Sequence, residues 1–217
     1  MGSATVSPSG TFQAGSTHPF TLTYTCGRFG IDDRGSLKIA FRAHTDQSPL
    51  QSADPSAPGF VCVTTEPPVP IEVKVESRRN IRPWTQSLYI QCKRFLAEGA
   101  RVVVRFGEDG VSPGLRLQTF CEDTFEFRVF VDPFATYDMI PLPDAEQPVI
   151  AIGPGTPVTW KIVAPTLRRP GEPFFVGVKR EDRWGNPTGG IGGTALLTIS
   201  PGLPGLARSI ALDAADC

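Results

Sequence analysis

The residues most able to act together chemically lie in one polar segment, LRLQTFCED. Arg116, Glu122 and Asp123 combine a guanidinium with two carboxylates, the groups that acid/base chemistry on an anionic substrate would use. With His44 on a covering loop, they would make a small hydrolase whose cleft lies at the junction of two modules. The favoured interpretation is structural, with Arg116 forming an ion pair that satisfies a partly buried carboxylate.

A second group joins arginine to an aromatic ring. Arg78, Arg79 and Arg82 precede Trp84, a pattern that could bind phosphate or nucleic acid. The 21 Lys and Arg are matched by 22 Asp and Glu, so no overall field attracts the chain to nucleic acid or to an anionic membrane. We therefore predict a hydrated strand end in which arginine stacks on Trp84, and neither nucleic acid nor membrane as a partner.

A third group surrounds Trp184. Glu181, Asp182 and Asn186 could coordinate a cation there, or position a sugar on the indole. Asp and Asn side chains readily bond to nearby backbone donors, so a tightened turn is the favoured interpretation. A carbohydrate-binding module would instead show exposed, coplanar aromatic rings. The candidates for those rings are Trp84, Trp160 and Trp184.

Metal and nucleophile chemistry have little support in the sequence. The two histidines, His18 and His44, stand in no motif that would orient a nucleophile. Asp32 and Asp33 lack the DxDxDG spacing of a calcium loop, and a solvated hairpin turn is predicted for them. We predict no catalytic residue, no metal site and no cofactor.

The five cysteines form no CxxC pair. Cys26, Cys62 and Cys92 lie within or beside apolar alternations, so they are predicted to be small strand residues kept reduced in a cytosol. A nucleophilic Cys121 is disfavoured because neighbouring carboxylates reduce the thiolate population. The first residues, MGSATVSPSG, have neither the basic start nor the apolar core of a signal peptide, and a cytoplasmic location is expected.

The elements that must position these groups are predicted to be β-strands. In the stretch Arg101 to Asp132, apolar residues alternate with polar ones at both ends, and a segment broken by glycine and proline lies between. This central segment is predicted to be an ordered connection packed over one end of a sandwich. Similar alternation predicts strands over 20–25, 36–43, 60–66, 71–77, 87–94, 149–153, 157–163, 173–182 and 194–200.

The composition, with 22 Gly and 22 Pro, favours many short strands over helices. We predict an all-β protein of two immunoglobulin-like β-sandwich modules in tandem. Module one covers residues 1–132, and a Pro-rich linker covers 133–148. Module two covers 149–217, and its few strands bury too little area for an independent sandwich, which suggests a truncated module or a shared core.

Several long strings resemble the N-terminal part of a bacterial family of unknown function, numbered thirty-six-oh-four among the domains of unknown function. The resemblance covers roughly Phe20 to Gly193. The strings are FGIDDRGSLKIAFR, NIRPW with SLYIQCKRFLAEGARVVVRFGE, SPGLRLQTFCEDTFEFRVFVDPFATY and LRRPGEPFFVGVKREDRWGNP. The last of them is also similar to the strand-turn signature of bacterial immunoglobulin-like modules.

The resemblance implies a function that the residues alone do not. Longer members of that family continue into a PHP-type, metal-dependent hydrolase domain rich in His and Asp, and none of its catalytic residues corresponds to a residue of this chain. The chain is then expected to be a non-catalytic accessory region that supports, orients or lends substrate contacts to a hydrolase domain or partner chain. The alternative is a small hydrolase or carbohydrate-binding module with its site at the module junction.

Overall fold

The computed structural model describes residues 1–77, 82–107 and 110–189, and also the backbone of two strands, Gly193–Leu196 and Ser209–Leu212. The predicted all-β class is confirmed, because these residues form strands, turns and one 3-10 turn, η1 (Asp144–Glu146). In the part of the chain so described, no helix has the length and hydropathy to cross a membrane. The chain divides into two units, Met1–Gly153 and Pro154–Cys217.

The first unit is built from short strands separated by turns. In chain order they are β1 (Ser3–Ser7), β2 (Thr11–Gln13), β3 (Thr17–His18), β4 (Phe20–Thr25), β5 (Ser36–Arg42), β6 (Val61–Glu66), β7 (Ile71–Glu76), β8 (Trp84–Cys92), β9 (Arg101–Phe106), β10 (Leu115–Arg116), β11 (Glu122–Glu126), β12 (Arg128–Asp132), β13 (Ile140–Pro141) and β14 (Val149–Gly153).

Two antiparallel sheets form the body of this unit, one in the order β1-β4-β9-β6 and the other in the order β13-β12-β5-β8-β7. Strand β4 shows why the sequence adopts this form: Phe20, Leu22 and Tyr24 are all buried, and the threonines between them face the other side. β-Branched and aromatic residues at period two fit a pleated, half-buried surface. A third sheet, β11-β14-β2, includes the parallel pair β2 and β14.

The core lies between the two main sheets. Leu22 of β4 and Val104 of β9 are fully buried in one sheet, while Leu88 and Ile90 of β8 are fully buried in the other. The rings of Phe41 in β5 and Phe106 in β9 meet across the core with centroids 6.0 Å apart. All of these residues belong to one apolar cluster, so the two sheets form a sandwich that shares a single core.

One predicted strand is wrong in its extent. The alternation at the end of the stretch Arg101 to Asp132, over 125–131, predicts one continuous strand. The structure instead ends β11 at Glu126 and begins β12 at Arg128, in different sheets. Phe127 lies at the change of sheet, and its N–H donates to the carbonyl of Pro148 at 2.9 Å. The alternation continues through the break because Phe127 is itself fully buried.

The segment predicted as a linker, 133–148, belongs to the first unit, and the division falls after β14 instead. Strand β13 pairs with β12, and Leu142 is buried. The side chain of Gln147 accepts the N–H of Val129 at 2.8 Å and donates to the carbonyl of Leu142 at 2.7 Å. Proline is tolerated here because β13 is an edge strand, where a missing backbone donor costs little.

The second unit contains the remaining strands: β15 (Thr159–Val163), β16 (Gly177–Glu181), β17 (Pro187–Thr188), β18 (Gly193–Leu196) and β19 (Ser209–Leu212). Strands β15, β16 and β17 form one antiparallel sheet, and β18 pairs with β19. The side chains of β15 are exposed along its whole length. Of the predicted strand 194–200, residues 197–200 lie outside the described residues.

Candidate functional site

Charged side chains from β5, β11 and β12 meet at one end of the sandwich. Arg42 ends β5 and Arg128 begins β12, and the pairing of β5 with β12 brings these two ends together. Glu122 and Glu126 lie on β11 beside them. We call these four residues the arginine-carboxylate cluster.

The cluster is internally paired. Arg42 forms ion pairs with Glu122 at 3.1 Å and with Glu126 at 3.5 Å. Glu122 also accepts the side-chain amide of Gln118 at 2.9 Å. Arg128 contacts Asp144 at 2.7 Å. A carboxylate held by a guanidinium and an amide is a poor general base, because protonating it would break both contacts.

The predicted ion pair between Arg116 and the neighbouring carboxylates is wrong in its partner. The guanidinium of Arg116 donates to the backbone carbonyls of Leu117, at 3.4 Å, and Asp46. Glu122 is paired with Arg42 instead, and Asp123 is exposed. The structural role predicted for Glu122 therefore holds, although the arginine that satisfies it is 80 positions away in sequence.

The loop that carries His44 does cover this segment, as the hydrolase alternative requires. The ring of His44 lies 5.7 Å from that of Phe120. The carboxylate of Asp46 accepts both the amide and the hydroxyl of Thr119, at 2.8 and 2.7 Å. Partial burial alone would raise the pKa of Asp46, but the Thr119 hydrogen bonds and Arg116 outweigh it and lower the pKa. These contacts anchor the loop and leave Asp46 ionised and engaged.

Arginine does lie over Trp84, but the two arginines observed there, Arg42 and Arg128, are not among the three that precede Trp84 in sequence. The guanidinium carbons of Arg42 and Arg128 lie 5.6 and 5.5 Å from the indole centroid. Arg82 is exposed at the turn before β8. Arg78 and Arg79 lie outside the described residues. Trp84 thus takes part in the packing of the arginine-carboxylate cluster.

An arginine guanidinium also lies over the ring of each of the other two tryptophans. Arg180 lies 5.5 Å from the ring of Trp160, and Arg183 lies 4.4 Å from the ring of Trp184. A sugar platform needs open aromatic faces, whereas each of the three indoles has at least one guanidinium over it. The carbohydrate alternative therefore gains no support from these rings.

The Trp184 segment is a tight turn, as predicted. The carboxylate of Asp182 is buried and accepts the backbone amides of Gly155 at 2.8 Å, Trp184 at 2.8 Å and Asn186 at 2.9 Å. It also accepts the side-chain amide of Asn186 at 2.9 Å. Glu181 pairs with Lys179 at 2.8 Å. The oxygens of Asp182 are occupied by protein donors, so this group serves the turn.

Asp182 makes the second unit sensitive to acid. Burial alone raises the pKa of its carboxyl, but hydrogen bonds from Gly155, Asn186 and Trp184 outweigh burial and hold the pKa below 3.8. A carboxyl whose pKa is lower folded than unfolded stabilises the fold above pH 3.8, and this contribution is lost as the pH falls through the folded pKa. We expect Asp182→Asn to lower stability at pH 7 by about 1–3 kcal/mol.

The check on this prediction is urea denaturation of the wild type and the Asp182→Asn variant between pH 7 and pH 2. The difference in stability between them should be largest at neutral pH and should shrink below pH 3.8. Asp123→Asn, at an exposed carboxylate, is the matched control and should show no such trend. A difference that does not change with pH would contradict the assignment.

The remaining reactive side chains are structural. Among the described residues, no group of three or more His, Cys, Asp or Glu could hold a metal ion. His18 contacts the hydroxyl of Ser16 at 2.8 Å, and its ring packs 4.9 Å from Phe12. Asp32 accepts the amide of Asp33 at 2.9 Å in an exposed turn. The predicted hairpin is wrong, because β4 and β5 on either side of this turn lie in different sheets.

The described cysteines form no disulfide bond with one another. Burial raises the pKa of Cys26 to about 11 and that of Cys92 to about 12, so both stay protonated at neutral pH. Cys62 is half-buried in β6, and Cys121 is exposed. Cys217 lies outside the described residues. Cys26 and Cys92 are therefore packing residues of low reactivity.

A feature that the sequence analysis missed lies at the other end of β12. A cavity of about 290 Å³ opens there between the turn 27–30 and the loop 132–140. Its walls include the rings of Tyr24, Phe29 and Phe134, together with Val131 and Ile140. We call it the aromatic pocket.

The loop on one side of the aromatic pocket is held by a single buried carboxylate. Asp132 accepts the amides of Thr136 at 3.0 Å and Tyr137 at 2.7 Å, the hydroxyl of Thr136 at 3.0 Å, and the amide of Phe134 at 3.4 Å. Ala135 and Tyr137 adopt positive φ angles of 54° and 65°. The carboxylate fixes these uncommon backbone conformations. An Asp followed within five residues by Thr and exposed aromatics is the sequence signal that could have revealed the loop.

Comparison with known proteins adds no assignment. No protein-family model matches the chain, and neither a curated protein nor a solved structure matches it. The functional argument therefore depends on the chain's own geometry.

Proposed function

We propose that this chain is a non-catalytic accessory region that supports, orients or lends substrate contacts to a metal-dependent hydrolase domain or partner chain. The observation that carries the proposal is the pairing of Glu122 with Arg42 and Gln118. This carboxylate is one of the two acid/base candidates in the polar segment, and its ion pair holds β11 against β5. The hydrolase partner is proposed because the chain resembles a bacterial family whose longer members carry such a domain.

The pKa shifts of carboxyl groups in both units support the same role. Catalytic carboxylates are typically tuned by burial to a raised pKa. The resolved shifts of described carboxyl groups, Asp46, Asp54, Glu72 and Asp182, are all downward. Each of these groups is stabilised in its charged form by hydrogen bonds, as expected of structural side chains.

We further infer an immunoglobulin-like arrangement for the first unit. The strand order of its sheets supports this inference, because β1-β4-β9-β6 can be matched to strands A-B-E-D, and β13-β12-β5 to strands G-F-C, of an immunoglobulin-type sandwich. The order of strands along the chain differs from that of a variable-type domain, since β6 precedes β7 and β8. Such sandwiches commonly serve as spacers and docking modules, which suits an accessory role.

We propose that the protein functions in the bacterial cytoplasm. The described cysteines form no disulfide bond with one another, which supports a reducing compartment. The near balance of charge supports partners other than nucleic acid or membrane.

The non-catalytic role can be tested directly on the purified chain. We expect no turnover of p-nitrophenyl phosphate, bis-p-nitrophenyl phosphate or p-nitrophenyl acetate above the buffer rate, with or without added Mn²⁺ or Zn²⁺. Glu122→Gln should behave as the wild type in every assay, because Glu122 acts in packing. Turnover that is abolished by Glu122→Gln would overturn the proposal and favour the hydrolase alternative.

The partner is tested in the source cells. Affinity purification through a chromosomal tag, followed by mass spectrometry, should recover a His-rich hydrolase domain that is either continuous with this chain or bound to it. Recovery of the chain without any such domain would contradict the accessory role.

A further inference from the structure

We propose that the aromatic pocket of the first unit binds a small, uncharged aromatic molecule of one or two fused rings. This goes beyond the accessory role, because it assigns a ligand site to the chain itself. The argument rests on the size of the cavity, the rings at its mouth, the polar groups in its wall and the rigidity of its loop.

The size of the cavity sets the size of the ligand. A dry apolar cavity of about 150 Å³ accepts benzene. The aromatic pocket, at about 290 Å³, is roughly twice as large and has room for two fused rings. It lies just below the range of about 300–1,000 Å³ typical of sites for drug-sized ligands. The pocket therefore fits a compact ring system better than a sugar chain or a nucleotide.

The rings at the mouth are exposed to solvent, and the guanidinium of Arg28 lies 5.8 Å from the centroid of the Phe29 ring. Phe29 is 64% exposed and Phe134 is 55% exposed, and their centroids lie 6.0 Å apart with the ring planes inclined at 58°. Inclined rings offer a ligand one face and one edge, which is the preferred geometry between aromatic groups. Large aromatic side chains left in water at the rim of a cavity gain free energy when a ring covers them.

The polar groups in the wall favour a neutral ligand. Tyr24 contributes a phenol that accepts the amide of Gly2 at 3.3 Å. Burial raises the pKa of Tyr24 to about 12, so its hydroxyl keeps a hydrogen that a ligand can accept. Two carboxylates, Asp132 and Asp138, also line the cavity, and their charge disfavours an anionic ligand.

The loop is arranged before the ligand arrives. The hydrogen bonds from Phe134, Thr136 and Tyr137 to the carboxylate of Asp132 hold the backbone that carries the Phe134 ring. A wall that is already ordered loses little conformational entropy on binding, which improves affinity for a small ligand.

The test uses indole as the probe and NMR spectroscopy of the full chain as the measurement. Titration with indole should produce saturable shifts confined to the amides of residues 24–30 and 131–140. Indole-3-carboxylate, which has the same ring system with an added carboxylate, should bind at least about tenfold more weakly. Shifts that do not saturate, that spread over the unit, or that are equal for both probes would overturn the proposal.

Variants assign the binding to the pocket. Phe134→Ala should weaken indole binding about tenfold, and Phe134→Leu should weaken it less because an apolar wall remains. Phe175→Ala is the matched control, because that ring is 95% exposed in the second unit. Thermal melting verifies that each variant is folded. Equal affinity of Phe134→Ala and the wild type would show that the pocket does not bind the ring.

Discussion

Replacing Phe127 by alanine is expected to destabilise the first unit by about 3–5 kcal/mol, the largest effect of any single substitution considered. Its ring is fully buried and lies within 5.4–5.7 Å of four other rings. Those rings are Phe20, Phe41, Phe106 and Phe125. The cavity left by alanine would remove contacts to both main sheets and to β11 at once.

Urea denaturation followed by far-ultraviolet circular dichroism measures this loss. In a separate thermal scan, the melting temperature of the variant should lie about 6–20 °C below that of the wild type. Phe175→Ala makes the same chemical change at a side chain that is 95% exposed, and should alter stability by less than about 0.5 kcal/mol. A loss below about 1 kcal/mol at Phe127 would mean that the ring cluster is not the centre of the core.

Asp132→Ala is expected to be the next most damaging change, at about 2–4 kcal/mol. The carboxylate is 2% exposed, and three backbone amides and one hydroxyl donate to it. Without it those donors lose their acceptor. The positive φ angles at Ala135 and Tyr137 then also lose the contacts that offset their strain.

Hydrogen exchange gives a local measure of the same change. The amide of Tyr137, which donates to Asp132 at 2.7 Å, should lose its protection in Asp132→Ala. Asp132→Asn should rescue only part of the stability, because an amide has one acceptor oxygen where the carboxylate has two. Asp138→Ala, at an exposed carboxylate of the same loop, is the control. Unchanged exchange at Tyr137 in Asp132→Ala would contradict the role of the carboxylate.

The strands were predictable because their burial follows local periodicity. Phe20, Leu22 and Tyr24 alternate with threonine, and the structure buries those three side chains in β4. The same rule gave no sign of the change of sheet at Phe127, since a buried residue there keeps the alternation intact. Periodicity reports which side chains face a core, but it does not report which sheet carries them.

The ion pairs were less predictable because strand register decides them. Proximity in sequence favoured Arg116 as the partner of Glu122, whereas pairing between β5 and β12 brings up Arg42. The sequence did not predict the aromatic pocket for a different reason. Its loop lies in the proline-rich segment that the sequence predicts to be a linker. The hydrogen bonds that Asp132 accepts from residues two to five positions later are nevertheless local.

The parallel pairing of β2 with β14 has a mechanical consequence. Thr11 pairs with Ala151 and Gln13 with Gly153, directly before the second unit begins. Tension between the start of β2 and the end of β14 would pull the two strands in opposite directions along their length. The hydrogen bonds between β2 and β14 would then be loaded together in shear, rather than broken one at a time. The first unit would therefore resist stretching when the second unit is pulled.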